Sequence, residues 1–423
     1  MWAGWLRVTV AVVAAHVAAG GCARRPAPGN EPADAGEPVI MGEDGSAGGL
    51  GGGPEGRGGQ GGSSTPAPGG SGEGGAGGAG GAEPPLPQGW TEVPVPPGAA
   101  GLAVTDAWAV GPDEIIFIGT VATPTPFTPR AFRYANGSWS TELEVPYVGW
   151  SRPSISGTAA DDIWAVGGDQ IHHRDATGWS RVADDGWNAT VPRPAYESHA
   201  ALGMTRVRAA GRDDIWVVGV RDNEYTGGTG FILHQVNGAS TVFVLDETKT
   251  APNVFYDYDD ILVAGPNDVW VSGGSDQVGS TMDPAFLHHW DGAGWTTRGY
   301  GRYGLVGIWP TGDGGLWVLD PTDWDNNGVI SMVRFAGDQF SAVAVEGLPR
   351  TTAMYSLWGA APDDVWAAGQ VVARWNGQSW RVVDDVPAAA RMRDQPPGTF
   401  VTGDPAGLWL VSPGPRFFRK PRP

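Results

Sequence analysis

A short phrase, Asp-Asp-Ile-Trp-x-Val-Gly, recurs along most of the chain, and its spacing restricts the folds open to it. It reads DDIWAVG from Asp161, DDIWVVG from Asp213, NDVWVSG from Asn267 and DDVWAAG from Asp363. Weaker copies read DEIIFIG from Asp113, GGLWVLD from Gly314 and AGLWLVS from Ala406. The shared aromatic is expected at Phe117, Trp164, Trp216, Trp270, Trp317, Trp366 and Trp409, in steps of 47, 52, 54, 47, 49 and 43 residues. Such a period marks a repeat architecture. Seven copies predict an all-β, seven-bladed β-propeller of four-stranded blades.

The second repeat shows how one blade is built. SISGTAA from Ser154 reads as an inner strand, and Asp161-Asp162 as a turn whose carboxylates accept hydrogen bonds from amides two or three residues ahead. IWAVG, QIHHR and, after DATG, GWSRV supply three more strands. Asn-Gly and Asp-Gly pairs, as in YANG from Tyr134 and WDG from Trp290, suit tight hairpins because these residues tolerate positive φ. The last repeat has three strands before the chain stops, whereas GWTEV from Gly89 stands alone and matches the fourth-strand pattern. Residues 89–94 are therefore expected to complete the last blade and remove an exposed edge.

Three segments are expected: a signal peptide over 1–21, a disordered Gly/Pro-rich tether over 22–88 and the propeller over 89–423. The leader carries Arg7 and an apolar run from Val8 to Ala19, too short to span a bilayer. The tether, with runs such as GGLGGGPEGRGGQGG from Gly48, has almost nothing to nucleate a core. Its 67 residues would span on the order of 45 Å as a flexible coil. Cys22 is the only cysteine, so no intramolecular disulfide can form. AAGGC, ending at Cys22, resembles a bacterial lipobox. That resemblance implies diacylglycerol on the sulfur and an acyl chain such as palmitate on the new amino terminus. It also implies an outer-membrane lipoprotein, periplasmic or surface-exposed, with plain secretion as the alternative. The net charge of −19 disfavours nucleic acid and anionic membranes as partners. Contact with a membrane is expected only through the lipid anchor, and a monomer is expected.

Four groups of residues carry possible chemistry. His172, His234 and His288 sit at similar third-strand positions and could ligate a metal, although outer strands of adjacent blades should hold them too far apart. Asp323-Trp324-Asp325-Asn326-Asn327-Gly328 matches the opening of a calcium loop. Asp323, Asp325 and Asn327 are the candidate ligands; Ser331 and Arg334 stand where positions nine and twelve would be acidic, and a plain hairpin turn is the alternative. No other cofactor is implied. The acid pairs Asp161/Asp162, Asp213/Asp214 and Asp363/Asp364 recur at blade starts, as structural turn residues should. Trp108, Trp309 and Trp358 lie near the ends of inner strands and could gather at a channel mouth as a ligand-binding surface; packing between blades is the alternative. No catalytic residue is identified.

The repeats resemble the Trp-rich secreted propeller lipoproteins, with a DDVWAVG…HWDG…W pattern, of gliding soil bacteria, and more distantly sialidase and galactose-oxidase propeller repeats. The likeness covers roughly residues 89–420 and implies the fold, with little about activity. WDGAGWTT from Trp290 departs from a sialidase Asp-box, keeping only a Gly and a Trp. The expected function is that of a cell-envelope lipoprotein whose propeller is a non-catalytic binding or scaffold module for protein or glycan. The alternative is a propeller glycosidase, lyase or sugar oxidoreductase acting at the channel mouth.

Overall fold

The computed structural model describes residues 86–422 except for 100, 122–127, 146–151, 192–200, 224–226, 246–253, 278–284, 301–303, 321–331, 350–351, 353, 384, 388–398 and 413–415. The described residues form seven antiparallel blades. Blade 1 comprises strands Leu102–Gly111, Glu114–Val121, Thr128–Ala135 and Ser138–Glu144. Blade 2 comprises Ser154–Ala159, Asp162–Gly167, Gln170–Asp175 and Gly178–Arg181. Blade 3 comprises Ala201–Gly211, Asp214–Asn223, Gly227–Val236 and Ala239–Phe243. Blade 4 comprises Val254–Gly265, Asp268–Gln277, Ala285–Trp290 and Trp295–Tyr300. Blade 5 comprises Gly307–Pro310, Leu316–Leu319, Met332–Ala336 and Gln339–Ala342. Blade 6 comprises Met354–Ala361, Asp364–Gly369, Val372–Trp375 and Trp380–Val382, and carries an extra short strand, Val345–Glu346, parallel to its fourth.

Blade 7 is built from both ends of the propeller. Phe400–Asp404, Gly407–Ser412 and Arg416–Pro421 supply three strands, and Thr91–Val93 adds the fourth, with Thr91 opposite Arg419 and Val93 opposite Phe417. First strands of successive blades lie side by side, and that of blade 7 meets that of blade 1, so the sheets form a ring around these inner strands. The expected fold and its N-terminal closing strand are both present.

Each sheet is apolar on two faces, and each face is buried against a neighbouring blade. One apolar cluster fills each of the seven interfaces. Between blades 1 and 2, for example, Ile116 and Ile118 meet Ile155 and Ile163. Between blades 3 and 4, Trp216 and Val218 meet Tyr258 and Phe286. At the ring seam, Trp409 and Phe417 of blade 7 pack on Leu102, Phe117 and Tyr134 of blade 1, with Val93 in the same cluster. Ile116 faces blade 2 whereas Phe117 faces blade 7. The residue of blade 1 equivalent to the repeat Trp is therefore Ile116, opposite Arg133, and the expected placement at Phe117 is one residue too far along.

The third-to-fourth hairpins use two turn chemistries. Asn136-Gly137, Asn237-Gly238 and Gly337-Asp338 take positive φ at both residues, the requirement of a type I′ turn. In blades 2, 4 and 6 a side chain closes the turn instead. Asp175 accepts from the amides of Thr177 and Gly178, Asp291 from Ala293 and Gly294, and Asn376 from Gln378 and Ser379. The hydroxyl and amide of Thr177 hold the Asp175 carboxyl below its ordinary value, and the amides of Ala293 and Gly294 do the same for Asp291.

Deleting residues 86–95 should expose the third strand of blade 7 and unseat Trp90 and Val93, which are 6% and 2% exposed. Burying two such side chains contributes several kcal/mol, so the melting temperature should fall by roughly 10 °C in calorimetry; an unchanged melt would show that the ring does not depend on this closure.

Candidate functional site

The second acid of each strong repeat does something the sequence reading did not assign to it. Asp162 is fully buried and lies two residues before Trp164, hence on the same strand face. It accepts hydrogen bonds from Trp164 Nε1 at 3.1 Å, from Thr158 Oγ1, and pairs with His173 Nε2 at 2.8 Å. His173, directly opposite Trp164 on the third strand, stacks on the indole with centroids 3.9 Å apart and planes 15° from parallel. Asp268, Trp270 and His289 repeat this clamp in blade 4, and Asp214, Trp216 and His234 repeat the Asp–His hydrogen bond and the stack in blade 3. In blade 6 Arg374 replaces the histidine, lying over Trp366 and donating to Asp364 at 2.8 Å. Capping of backbone amides two or three residues on is not the role of these acids: it falls to Asp175, Asp291 and Asn376, and to Asp404 in blade 7.

Of the three weak repeats, blade 1 has Glu114 in the acid's place, which accepts from Arg133, whereas the other two put glycine there, Gly315 in blade 5 and Gly407 in blade 7. In these two blades the buried Nε1 of Trp317 and of Trp409 has no hydrogen-bond partner. The arginines opposite them find acids elsewhere: Arg334 pairs with Asp313, and Arg419 crosses the seam to Asp113 of blade 1.

The equivalent histidines are thus His173, His234 and His289: His234 is as expected from sequence, and the other two lie one residue beyond His172 and His288. His172 instead bonds Gln170, and burial, with Arg181 nearby, lowers its pKa. His288 bonds Thr297. Among the described residues, no three His, Cys, Asp or Glu side chains are placed to hold a metal. The calcium candidates Asp323, Asp325 and Asn327, and Cys22, lie outside the described residues.

Trp108, Trp309 and Trp358 occupy one equivalent position on the first strands of blades 1, 5 and 6, opposite Ile116, Trp317 and Trp366. Each is half-buried, and each lies over a glycine of the following blade: Gly157, Gly359 and Gly403. A methyl group added to Gly359 would come within 2.5 Å of Trp309 Nε1. Blades 2, 3, 4 and 7 carry Ser156, Arg208, Leu262 and Thr402 at the Trp position, and the blade after each of them has a residue other than glycine: Ala209, Val263, Pro310 and Ala109. The three tryptophans are keyed into neighbouring blades while keeping an exposed edge.

Inner strands are also joined by hydrogen bonds from one blade to the next. The amides of Ile155, Val207, Ile308 and Val401, all at one equivalent position, donate to Asp106, Ser154, Asp260 and Ser356 of the preceding blade. Blade 3 has Arg206 at the accepting position. It donates to the carbonyls of Asp259 and Thr105, while Arg208 bonds Asp260 at 3.0 Å and approaches Asp106 to 3.6 Å. This quartet of two arginines and two carboxylates links blades 1, 3 and 4 across the inner strands. The pull of Asp260 and Asp106 outweighs desolvation and raises the Arg208 pKa, so its charge is fixed.

A separate cavity of about 450 Å³ opens between blades 6 and 7. Trp366, Arg374, Arg381, Asp385, Lys420 and Arg422 are on its wall. The sequence reading missed it because its residues come from two separate blades, although the basic run RFFRKPRP from Arg416 was a visible signal.

No family model matches the chain, and no curated protein does. Solved structures do. YCF48 bound to D1 peptide is 15% identical, with 79% of this chain and 98% of that one covered and a TM-score of 0.51. U3-55K is 8% identical, with 80% and 100% covered and a TM-score of 0.50. An α-L-arabinanase of Penicillium chrysogenum complexed with arabinobiose is 10% identical, with 79% and 98% covered and a TM-score of 0.41. At these identities the first two show a shared β-propeller fold and nothing finer.

Two substitutions separate the clamp from the turn. Asp162→Ala leaves Trp164 Nε1 and His173 without their buried acceptor and should cost about 3 kcal/mol in denaturant unfolding. Asp161→Ala, at an exposed pair with Arg212, should stay within about 0.5 kcal/mol. Equal effects would contradict this division. Similarly, Gly359→Ala should cost about 1–3 kcal/mol by overpacking, and Trp309→Leu in the same chain should recover part of it; additive effects in the double-mutant cycle would disprove the seat.

Proposed function

We propose that this chain is a cell-envelope lipoprotein, of the Trp-rich repeat type, whose propeller is a non-catalytic binding or scaffold module for a protein or glycan. The reading is carried by one observation: the groups with chemical potential in the repeats, Asp, His and Arg beside Trp, are bonded to one another inside single blades as clamps. What is left for recognition is the set of positions where blades differ, on a frame whose ring closure keeps them fixed. Lipid on Cys22, an outer-membrane location and a monomeric state complete the proposal and rest on the sequence.

A glycosidase-like reading has one observation in its favour, the convergence of Asp106 and Asp260 on Arg206 and Arg208. Asp106 already accepts from Ala107, Ser154 and Ile155, and Asp260 from Ile308 and Arg208, with the other arginine contacts at 3.6 to 3.8 Å. Both carboxylates are thus engaged in tying inner strands together, a structural use of the pair.

Labelling cells with a fatty-acid analogue should mark the wild-type chain and leave Cys22→Ala unmarked. The full chain should retain specific glycans or envelope proteins on an array and release them unchanged; turnover of any glycan would move it to the enzyme class, and silence with both ligand classes would leave only a structural role.

A further inference from the structure

The position opposite the third-strand His or Arg shows what the blade itself requires. It is Ser140, Ser180, Thr241, Thr296 and Ser341 in blades 1 to 5, and Thr91 in blade 7. Blade 6 alone departs from this, with Arg381 opposite Arg374. Two guanidinium groups side by side on neighbouring strands repel each other, so the fold gains nothing from this residue. Blade 6 is also the one blade among the described residues with a fifth strand, and Glu346 on that strand accepts from Arg381 Nε at 3.0 Å and Nη2 at 2.8 Å. The extra strand thus holds an arginine that no other blade needs.

Arg381 borders the cavity between blades 6 and 7, where Arg374, Lys420 and Arg422 converge on it. With Asp385 on the wall, and Asp364 and Glu346 behind it, four cations meet three acids, leaving the cleft positive by one in a chain of net charge −19. Donors remain to be used. Arg374 donates to Asp364 through Nε alone, Arg381 keeps Nη1, and Nη1 of Arg422 is buried without an acceptor. The cations grade from Arg381, 67% exposed, through Arg374 and Lys420 to Arg422, 18% exposed. This arrangement suits an extended ligand with more than one oxyanion. A peptide would gain its affinity by pairing with a strand edge, and the nearby edge of blade 6 is already covered by Val345–Glu346. Side-chain forks, which grip carboxylate or sulfate oxygens bidentately, are what the cleft offers.

We infer that the cleft between blades 6 and 7 binds an acidic oligosaccharide, its carboxylate or sulfate groups held by Arg381, Arg374, Lys420 and Arg422. This rests on the binding-module reading and narrows it to one place and one ligand class.

The test is calorimetric titration of the full-length chain with oligogalacturonate, a sulfated oligosaccharide, a neutral oligosaccharide of equal length, poly-glutamate and inorganic phosphate. One or both acidic oligosaccharides should bind, more weakly as salt is raised, and the neutral one should not. Arg381→Ser installs the residue type the other blades carry, so the melting temperature should hold while affinity drops about tenfold or more. Preferential binding of poly-glutamate, equal affinity for inorganic phosphate, or affinity unchanged in Arg381→Ser would each overturn the assignment. If both acidic oligosaccharides fail while other glycans or proteins are retained, the cleft assignment falls and the binding-module reading stands.

Discussion

The contact between successive blades is what the rest of this structure depends on. A twisted four-stranded sheet with apolar side chains on both faces cannot stand in water alone, and here each face is covered by the next sheet around the ring. Seven apolar clusters at seven interfaces are the result, and the start of the propeller adds Val93 to the seam between blades 7 and 1 and Trp90 to the interface between blades 6 and 7. The hydrogen bonds from Ile155, Val207, Ile308 and Val401 to the preceding inner strand, and the tryptophans seated on Gly157, Gly359 and Gly403, are refinements of that contact. They set the spacing of the inner strands and therefore the surface any ligand would meet.

The clamp of Asp, Trp and His acts at right angles to this, tying strands together within one blade. Its parts follow from strand geometry. Residues two apart share a face, which places Asp162 beside Trp164, and the antiparallel register puts His173 over the indole. Where glycine replaces the acid, the blade still forms, but the indole N–H of Trp317 or Trp409 is buried without a partner. Apolar burial between blades is evidently sufficient for a blade; the clamp adds order to it.

The architecture was legible in the sequence because it depends on a count. Seven phrases and an orphan GWTEV segment determine blade number and closure without any knowledge of side-chain partners. The errors arose where one residue matters. A strand alternates faces with period two, so reading Phe117 for Ile116, or His172 and His288 for His173 and His289, transfers a side chain to the opposite interface. Counting from the aromatic misled in blade 1, where the aliphatic Ile116 fills the Trp position, whereas counting from Glu114 would have been correct. The cleft between blades 6 and 7 was hidden for another reason: Arg381 and Lys420 stand on different blades, and no local pattern reports a contact between blades.

Repetition also offers a way to separate structure from function that a single domain does not. Seven copies of one position state what the fold will accept there, and a departure that costs electrostatic energy calls for an explanation outside the fold. Leu262 beside Pro310 or Ser156 beside Ala209 needs none, since each pair simply replaces a tryptophan seated on glycine by a smaller side chain meeting a larger one. Arg208 is accounted for by the carboxylates of Asp106 and Asp260. Arg381 is different. It adds a second guanidinium opposite Arg374 and is steadied by Glu346 on a strand that, among the described residues, the other blades lack. A fold that builds an extra strand to keep one charged side chain in place, in a cavity where three more cations gather, is using the departure from its repeat for recognition.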